Sequence, residues 1–282
     1  MRLTLSLAAA TAVLGAAPAF AQDSSADQTV PSVGGDSVTL GVGVGTVPTY
    51  EGSDENRIVP VPAARGTISG YAFSMRGAKL FVDLIRNSPG PGLDLQLGPV
   101  VALDLNRTGS VDDPQVKALG KKKVALELGG YVGIGRTGVI TSDYDKVSVS
   151  VAYIHDVSGI HDSYVLTPEI DYGTPLSRTT YVGVSASASY AGRGYAQTYF
   201  GVGPAGSLAS GLPVFYADKG WKNWSLSAFA VQSLSGDLTH GLALVGGVSY
   251  SRLLNDFAAS PITSIAGNRN QWMGAVGLAY TF

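Results

Sequence analysis

The chain has 282 residues, with 19 lysines and arginines against 21 aspartates and glutamates, three histidines and no cysteine. A formal net charge of −2 argues against a nucleic-acid partner, which needs a basic face, and the lack of cysteine excludes both a disulfide framework and a lipid-bearing cysteine. Gly 37 and Tyr 14 beside only 14 % charged residues describe short strands and turns, and so little charge suits a chain whose outer belt faces lipid.

Arg2 precedes an apolar run from Leu3 to Ala16, and Ala19-Phe20-Ala21 has the small-x-small pattern that a signal peptidase cuts. Residues 1–21 are therefore expected to be a cleaved signal peptide. The polar, Ser-, Asp- and Gly-rich stretch 22–35 reads as a flexible periplasmic leader, and 36–282 as the folded domain. No later stretch offers about eighteen uninterrupted apolar residues, so crossing a membrane by helices is not expected.

From Asp36 onward a greasy face recurs about every twenty residues with a period of two. Val38, Leu40, Val42 and Val44 alternate with Thr39, Gly41, Gly43 and Gly45. That glycine spacing is not a nucleotide-binding fingerprint, because no helix pattern follows it. A second strand is expected over Arg57 to Ala64, weakened by Pro60 and Pro62, with two short ones near Thr67 to Met75 and Lys79 to Arg86. Leu93, Leu95, Leu97, Val101, Leu103 and Leu105 form the greasy face of a fifth, opposite Asp94, Gln96, Gly98 and Asp104. The sixth sets Val124, Leu126, Leu128, Val132 and Ile134 against Glu127, Gly129 and Tyr131, and the seventh runs from Lys146 to His155. The eighth sets Tyr164, Leu166, Ile170 and Tyr172 against Thr167, Glu169 and Asp171; the ninth sets Val182, Val184 and Tyr190 against Ser185, Ser187 and Ser189. Strands near Lys222 to Leu234 and Leu238 to Leu254 precede the last, Asn270 to Phe282. In that last strand Trp272, Val276, Leu278, Tyr280 and Phe282 share one face, and small residues fill the other.

This pattern predicts an all-β, single-chain antiparallel transmembrane barrel of about twelve strands, within a range of about ten to fourteen. Loop lengths agree. Most long connections, such as Asn106 to Lys123, Ala191 to Trp221 and Asn255 to Arg269, fall on one rim, which reads as extracellular. The periplasmic turns, such as Gly173 to Ser177, are shorter, with Asn87 to Gly92 and Arg136 to Asp143 intermediate. A soluble sandwich would hide the same valine faces between two sheets; the export signal, the aromatic strand ends and the loop asymmetry favour the barrel.

Gly277, Tyr280 and Phe282 resemble the C-terminal assembly signal of bacterial outer-membrane barrels, which the barrel assembly machinery reads; Ala275 stands where a polar residue is usual. Further motifs carry a wider resemblance: Pro48-Thr49-Tyr50-Glu51-Gly52-Ser53, Pro60-x-Pro62, Gly98-Pro99, Val116-x-x-Leu119 leading to Glu127-x-Gly129, Tyr199-Phe200-Gly201-Val202, Ser260-Pro261 and the terminal Tyr280-x-Phe282. Together they resemble the MltA-interacting protein and OmpV family of outer-membrane proteins. The resemblance implies a barrel in the outer membrane of a Gram-negative bacterium. It also implies a non-enzymatic scaffold that brings a peptidoglycan-cleaving lytic transglycosylase together with a peptidoglycan synthase. Porin-like and adhesin roles among relatives keep a narrow channel and a surface adhesin as alternatives.

No catalytic, cofactor or metal site is expected. His161-Asp162-Ser163 has the residue types of a triad but not its geometry, and His155 and His161 lack a third ligand at useful spacing, so His161 reads as part of a solvated loop. The charges on the small-residue faces, Asp83, Asp94, Asp104, Glu127, Lys146, Glu169 and Asp171, are expected to point into the lumen, with Lys79 and Lys146 as the nearest basic counterparts. They either pair into a polar plug or line an acidic channel, and twelve strands decide neither. The aromatic connection with Tyr195, Tyr199, Phe200, Phe215, Tyr216 and Trp221 is expected to pack on itself or fold into the barrel mouth.

Overall fold

The computed structural model describes residues 36–86 and 92–282. The expected signal peptide, the leader and most of the Asn87 to Gly92 turn lie outside them. The strands are β1 (Ser37–Pro48), β2 (Asn56–Ile68), β3 (Tyr71–Arg76), β4 (Lys79–Val82), β5 (Gly92–Asp104), β6 (Ala125–Thr137), β7 (Lys146–Asp156), β8 (Tyr164–Pro175), β9 (Thr180–Ala191), β10 (Gly220–Ser233), β11 (Gly241–Leu253) and β12 (Asn270–Thr281). Each pairs antiparallel with its chain neighbours, and β12 returns to β1, so the twelve form one closed barrel. Val42 stands opposite Leu278 and Gly43 opposite Gly277 at the seam, and the Phe282 amide donates to the Val38 carbonyl at 2.9 Å.

The alternation read from the sequence is the alternation of exposure. Leu93, Leu95, Leu97, Val132, Ile134, Val149, Val184, Val276 and Leu278 all lie exposed on the outside, while Ser148, Ser150, Glu169, Asp171, Ser185, Ser187, Ser189, Ser225 and Ser227 are buried inside. Successive side chains of a strand must point to opposite faces. Only surrounding lipid makes such an apolar exterior favourable.

Outward-facing aromatics at the extracellular strand ends touch in pairs: Tyr153 with Tyr164, Tyr190 with Trp221, and Trp224, Tyr250 and Trp272 in a row with ring centres 5.4 and 4.9 Å apart. They form a girdle of the kind found at a membrane–water interface. Tyr280 and Phe282, 4.8 Å apart, occupy the opposite end of β12.

Two sequence expectations need correction. β2 is longer than Arg57 to Ala64 and takes up Thr67 and Ile68, so the first of the two expected short strands begins only at Tyr71, and the second ends at Val82 rather than Arg86. Leu105 is not on the lipid face; β5 ends at Asp104, and beyond it Leu105 turns inward and is buried. Pro60 and Pro62 do sit within β2. Pairing of β2 with β3 stops at Arg65 opposite Ser74, whereas pairing with β1 continues to Asn56. A two-residue hairpin through Ser69 and Gly70, both at positive φ, makes Ile68 and Tyr71 a hydrogen-bonded pair. By alternation Ala64, Pro62 and Pro60 then face β3, beyond the point where the ladder ends. The prolines therefore remove no ladder donor.

Among the described residues five short helices cap the extracellular rim: α1 (Pro114–Ala118), α2 (Arg193–Phe200), α3 (Pro204–Ser210), α4 (Asn255–Ala259) and α5 (Pro261–Ser264). Among the described residues no helix is long and apolar enough to cross a membrane.

Candidate functional site

The cap is a second hydrophobic core seated in the barrel mouth. Tyr195, Tyr199 and Phe200 of α2 and Phe257 of α4 are buried against Phe81, Val100, Tyr131 and Ile154 of the barrel wall. Above them Tyr50, Val116, Val202, Leu212 and Ile262 join the outer loops. Ser260 caps α5 by accepting from the Ile262 amide at 3.3 Å and donates to the Phe200 carbonyl at 2.6 Å, which ties α5 to the end of α2.

The loop Thr49-Tyr50-Glu51-Gly52-Ser53 folds inward and is buried throughout. Gly52 holds φ +98°, and a Cβ there would lie 2.6 Å from Thr263 Oγ1, so only glycine fits. This turn places Glu51 under the cap. Its carboxylate is 2.8 Å from Lys222 Nζ and accepts from the Tyr195 hydroxyl at 2.9 Å, while its amide donates to Asn106 Oδ1 at 3.0 Å. Lys222 also lies 4.9 Å from the centre of the Tyr195 ring. Burial, reinforced by the Asp104 carboxylate and then Glu51, raises the Tyr195 hydroxyl well above its ordinary pKa, so it stays a donor.

Below this centre Arg76, at the tip of β3, reaches across the lumen to Glu169 of β8 at 3.4 Å and lies 4.6 Å over the Phe81 ring. Nearer the periplasm Lys146 Nζ meets Asp94 Oδ2 at 2.6 Å. The space left under the cap is a cavity of about 70 Å³. A second, of about 140 Å³, lies along the small-residue wall of β1, β2, β11 and β12, bordered by the tip of the β3–β4 hairpin.

Of the expected lumen charges, Asp104 and Glu127 lie under the cap, Glu169 is in the middle, and Asp94 and Lys146 form the lower pair. Asp171 lies 3.5 Å from the Ser148 hydroxyl. Asp83 instead secures the backbone beyond β4, accepting from the Ile85 and Leu97 amides at 2.9 and 3.2 Å. At the seam, a Cβ on Gly277 would lie 2.6 Å from the Val42 carbonyl, so this member of the expected assembly signal is also needed for strand closure.

His161 is not on a solvated loop. The Asp156 carboxylate accepts the amides of Ser158, Ile160, His161 and Asp162 at 2.6 to 3.0 Å, and the resulting tight turn drives the imidazole inward to 3.2 Å from Glu127. His155 stays apart, with Nδ1 2.8 Å from the Asp156 carbonyl, and His240 is exposed beside Asp237.

The family model of MltA-interacting protein MipA matches residues 40–282. The chain belongs to the MltA-interacting protein MipA family. The match takes in the Glu51 loop, the whole cap and the closing strand of this MipA-family barrel. Among solved structures it is similar to an outer membrane channel of Pseudomonas putida F1, at 10 % identity and a TM-score of 0.46, over 93 % of this chain and 100 % of that one. It is also similar to the toluene transporter TodX of Pseudomonas putida, at 9 % identity and TM-score 0.34 over 95 % of each chain. A third is a FadL homologue of Pseudomonas aeruginosa, at 9 % identity and TM-score 0.28 over 88 % of this chain and 89 % of that one. A search of curated proteins returned no match.

Glu51, Arg76, His161, Lys222 and Tyr195 are the members of the site that sequence reasoning did not assign to it. Glu51 belongs to the first-loop motif and Tyr195 to the aromatic connection. Lys222 gave a misleading signal, because period-two counting puts it on the lipid face beside Trp224 and Leu226. A β-bulge between Trp221 and Asn223 makes it the extra residue and turns it inward.

Proposed function

We propose that this chain is a non-enzymatic outer-membrane scaffold, plugged rather than conducting, that recruits a lytic transglycosylase and a peptidoglycan synthase at its periplasmic rim. The observation that carries the plug is the cap: α2 and the Glu51 loop fill the mouth, and most lumen carboxylates have a protein partner instead of facing a water column. Five contacts support it: Glu51 with Lys222, Glu127 with His161, Glu169 with Arg76, Asp94 with Lys146, and Asp83 with its two amides. The family's name supports the hydrolase partner. On the periplasmic side the turn 138–145 offers a firm surface, since the Asp145 carboxylate accepts the Val139, Ile140 and Thr141 amides at 2.7 to 2.8 Å and Ile140 and Tyr144 stand exposed.

The 140 Å³ cavity along the small-residue wall favours a second reading, a narrow passage that requires the cap to move. Two measurements separate them. Crosslinking in cells followed by detergent copurification should recover a peptidoglycan hydrolase or synthase, and planar bilayers should show no single-channel steps. Steps without any recovered partner would replace the scaffold with the passage.

A further inference from the structure

Asp104 at the end of β5, Glu127 in β6 and His161 in the turn after β7 are all buried, and one ligand-type atom of each lies within 4.8 Å of the other two. The barrel register assembles them. Asp104 stands opposite Ala125, two residues before Glu127, and Glu127 stands opposite Asp156, whose carboxylate shapes the turn that carries His161. His161 Nε2 lies 3.2 Å from Glu127 Oε1, and its buried Nδ1 has no hydrogen-bond partner.

A second observation lies beside the same cluster. The Tyr199 hydroxyl, on a residue only 3 % exposed, has no hydrogen-bond partner, and its ring centre is 5.9 Å from that of His161. Glu51 adds a third buried carboxylate to this centre, and the ammonium in contact with it is that of Lys222. Three buried carboxylates are thus gathered in a dry place, an arrangement that a bound cation would stabilise.

We infer that Asp104, Glu127 and His161 bind a divalent transition-metal ion of the zinc or manganese kind. One imidazole nitrogen with two carboxylate oxygens is a borderline donor set that suits such ions. The 3.2 Å between His161 and Glu127 is close to the roughly 3.4 Å edge of a tetrahedron with bonds near 2.05 Å. The widest separation, up to 4.8 Å, has to close by roughly 1.4 Å, which rotation of the Asp104 or Glu127 side chain supplies. Water would supply the remaining ligands. Because the ligands come from two strands and the turn after β7, the ion ties that turn to the barrel wall beneath α2 and acts as a structural clamp. This site does not depend on the scaffold reading.

The test uses the whole barrel, purified in detergent without an affinity tag, stripped with EDTA, exposed to ZnCl2 or MnCl2 and desalted. Elemental analysis should find about one ion per chain in the wild type and under a tenth of that in E127Q/H161Q. Zinc should raise the melting temperature of the wild type and leave that of E127Q/H161Q unmoved. H155Q/H240Q, which alters the other two histidines, should keep the ion. Heat-modifiable mobility on gels reports that each variant is a folded barrel. Should E127Q/H161Q fail to fold, cobalt-loaded wild type decides instead, since a nitrogen–oxygen site gives visible d–d bands. Retention no greater than in E127Q/H161Q, loss of the ion with H155Q/H240Q, or absence of the cobalt bands would overturn the assignment and leave protons to balance the carboxylates.

Discussion

Replacing Lys222 by methionine is the most direct test of the plugged lumen. Methionine keeps an unbranched apolar stem against the Tyr195 ring and removes only the ammonium that lies 2.8 Å from Glu51. Both side chains are buried, at 4 % and 7 % exposure, so the Glu51 carboxylate would lose its counter-ion without gaining water. Breaking such a pair from one side costs about 3–5 kcal/mol, and the hydrogen bonds that Glu51 keeps with Tyr195 and Asn106 place the expectation near about 3 kcal/mol. Adding Glu51→Gln should bring stability back to within about 1 kcal/mol of wild type, since the uncharged amide still accepts from Tyr195 and the carboxylate paired with Lys222 is gone with it. Urea unfolding in phospholipid vesicles, followed by tryptophan fluorescence, reads the effect directly, because Trp221 and Trp224 flank the position. If K222M costs under about 1 kcal/mol, or the double variant is no more stable than K222M, the pair is solvated and the mouth is not sealed as described.

Three further outcomes are expected. Asp145→Ala strands the three amides that its carboxylate accepts and should cost about 2 kcal/mol in the same assay. Burial alone would raise the Asp145 pKa, but the Thr141, Val139 and Ile140 amides outweigh it and hold it at about 2. Its contribution is therefore complete above the ordinary carboxylate pKa of about 3.9 and fades as pH falls through about 2, so wild type and D145A should converge over that interval. Gly52→Ala meets both a φ of +98° and the Thr263 hydroxyl, and should destabilise the loop by about 1–3 kcal/mol, read as faster proteolysis of the cap at unchanged barrel mobility. Deleting Phe282 removes its amide bond to Val38 and the ring against Tyr280, and should lower the outer-membrane level of the protein several-fold; normal amounts of heat-modifiable barrel would count against an assembly role for this residue.

Strands with one lipid face announce themselves, because every second residue must be apolar for a distance set by the membrane. Val147, Val149, Val151 and Tyr153 of β7 are such a case, and the twelve strands follow from repeating it. The site was legible only in part. Asp104, Glu127 and Glu169 were readable as inward charges from parity alone, whereas Lys222 was hidden by a one-residue bulge, which inverts parity and leaves no local signature. His161 was hidden for another reason. Its inward direction is fixed by four amides converging on Asp156, and no periodicity exists in a turn to reveal that. Arg76 and Glu169 lie five strands apart, so their contact depends on the width of the closed barrel rather than on either strand's own pattern.

The free edge of β2 allows the wall of the barrel to be tested as well. Between Asn56 and Ala64 this strand is paired with β1 alone, and Pro60 and Pro62 stand where alternation turns backbone nitrogens toward the open side. In hydrocarbon an N–H without a partner is costly, so proline at these two positions removes donors that nothing would satisfy. Replacing Pro62 by valine, a far better strand residue by propensity, should therefore destabilise the barrel by about 1–3 kcal/mol in thin vesicles, because the restored N–H has no β3 partner above Arg65. Val44→Pro in the neighbouring strand, whose amide by the same alternation turns toward β12, should cost about 3 kcal/mol or more and serves as the reference for a lost ladder bond. An unchanged or raised stability for Pro62→Val would mean that water reaches this edge. It would make the cavity bordered by Val61, Pro62 and the hairpin tip Met75 to Ala78 a wet one, continuous with the lumen through the wall.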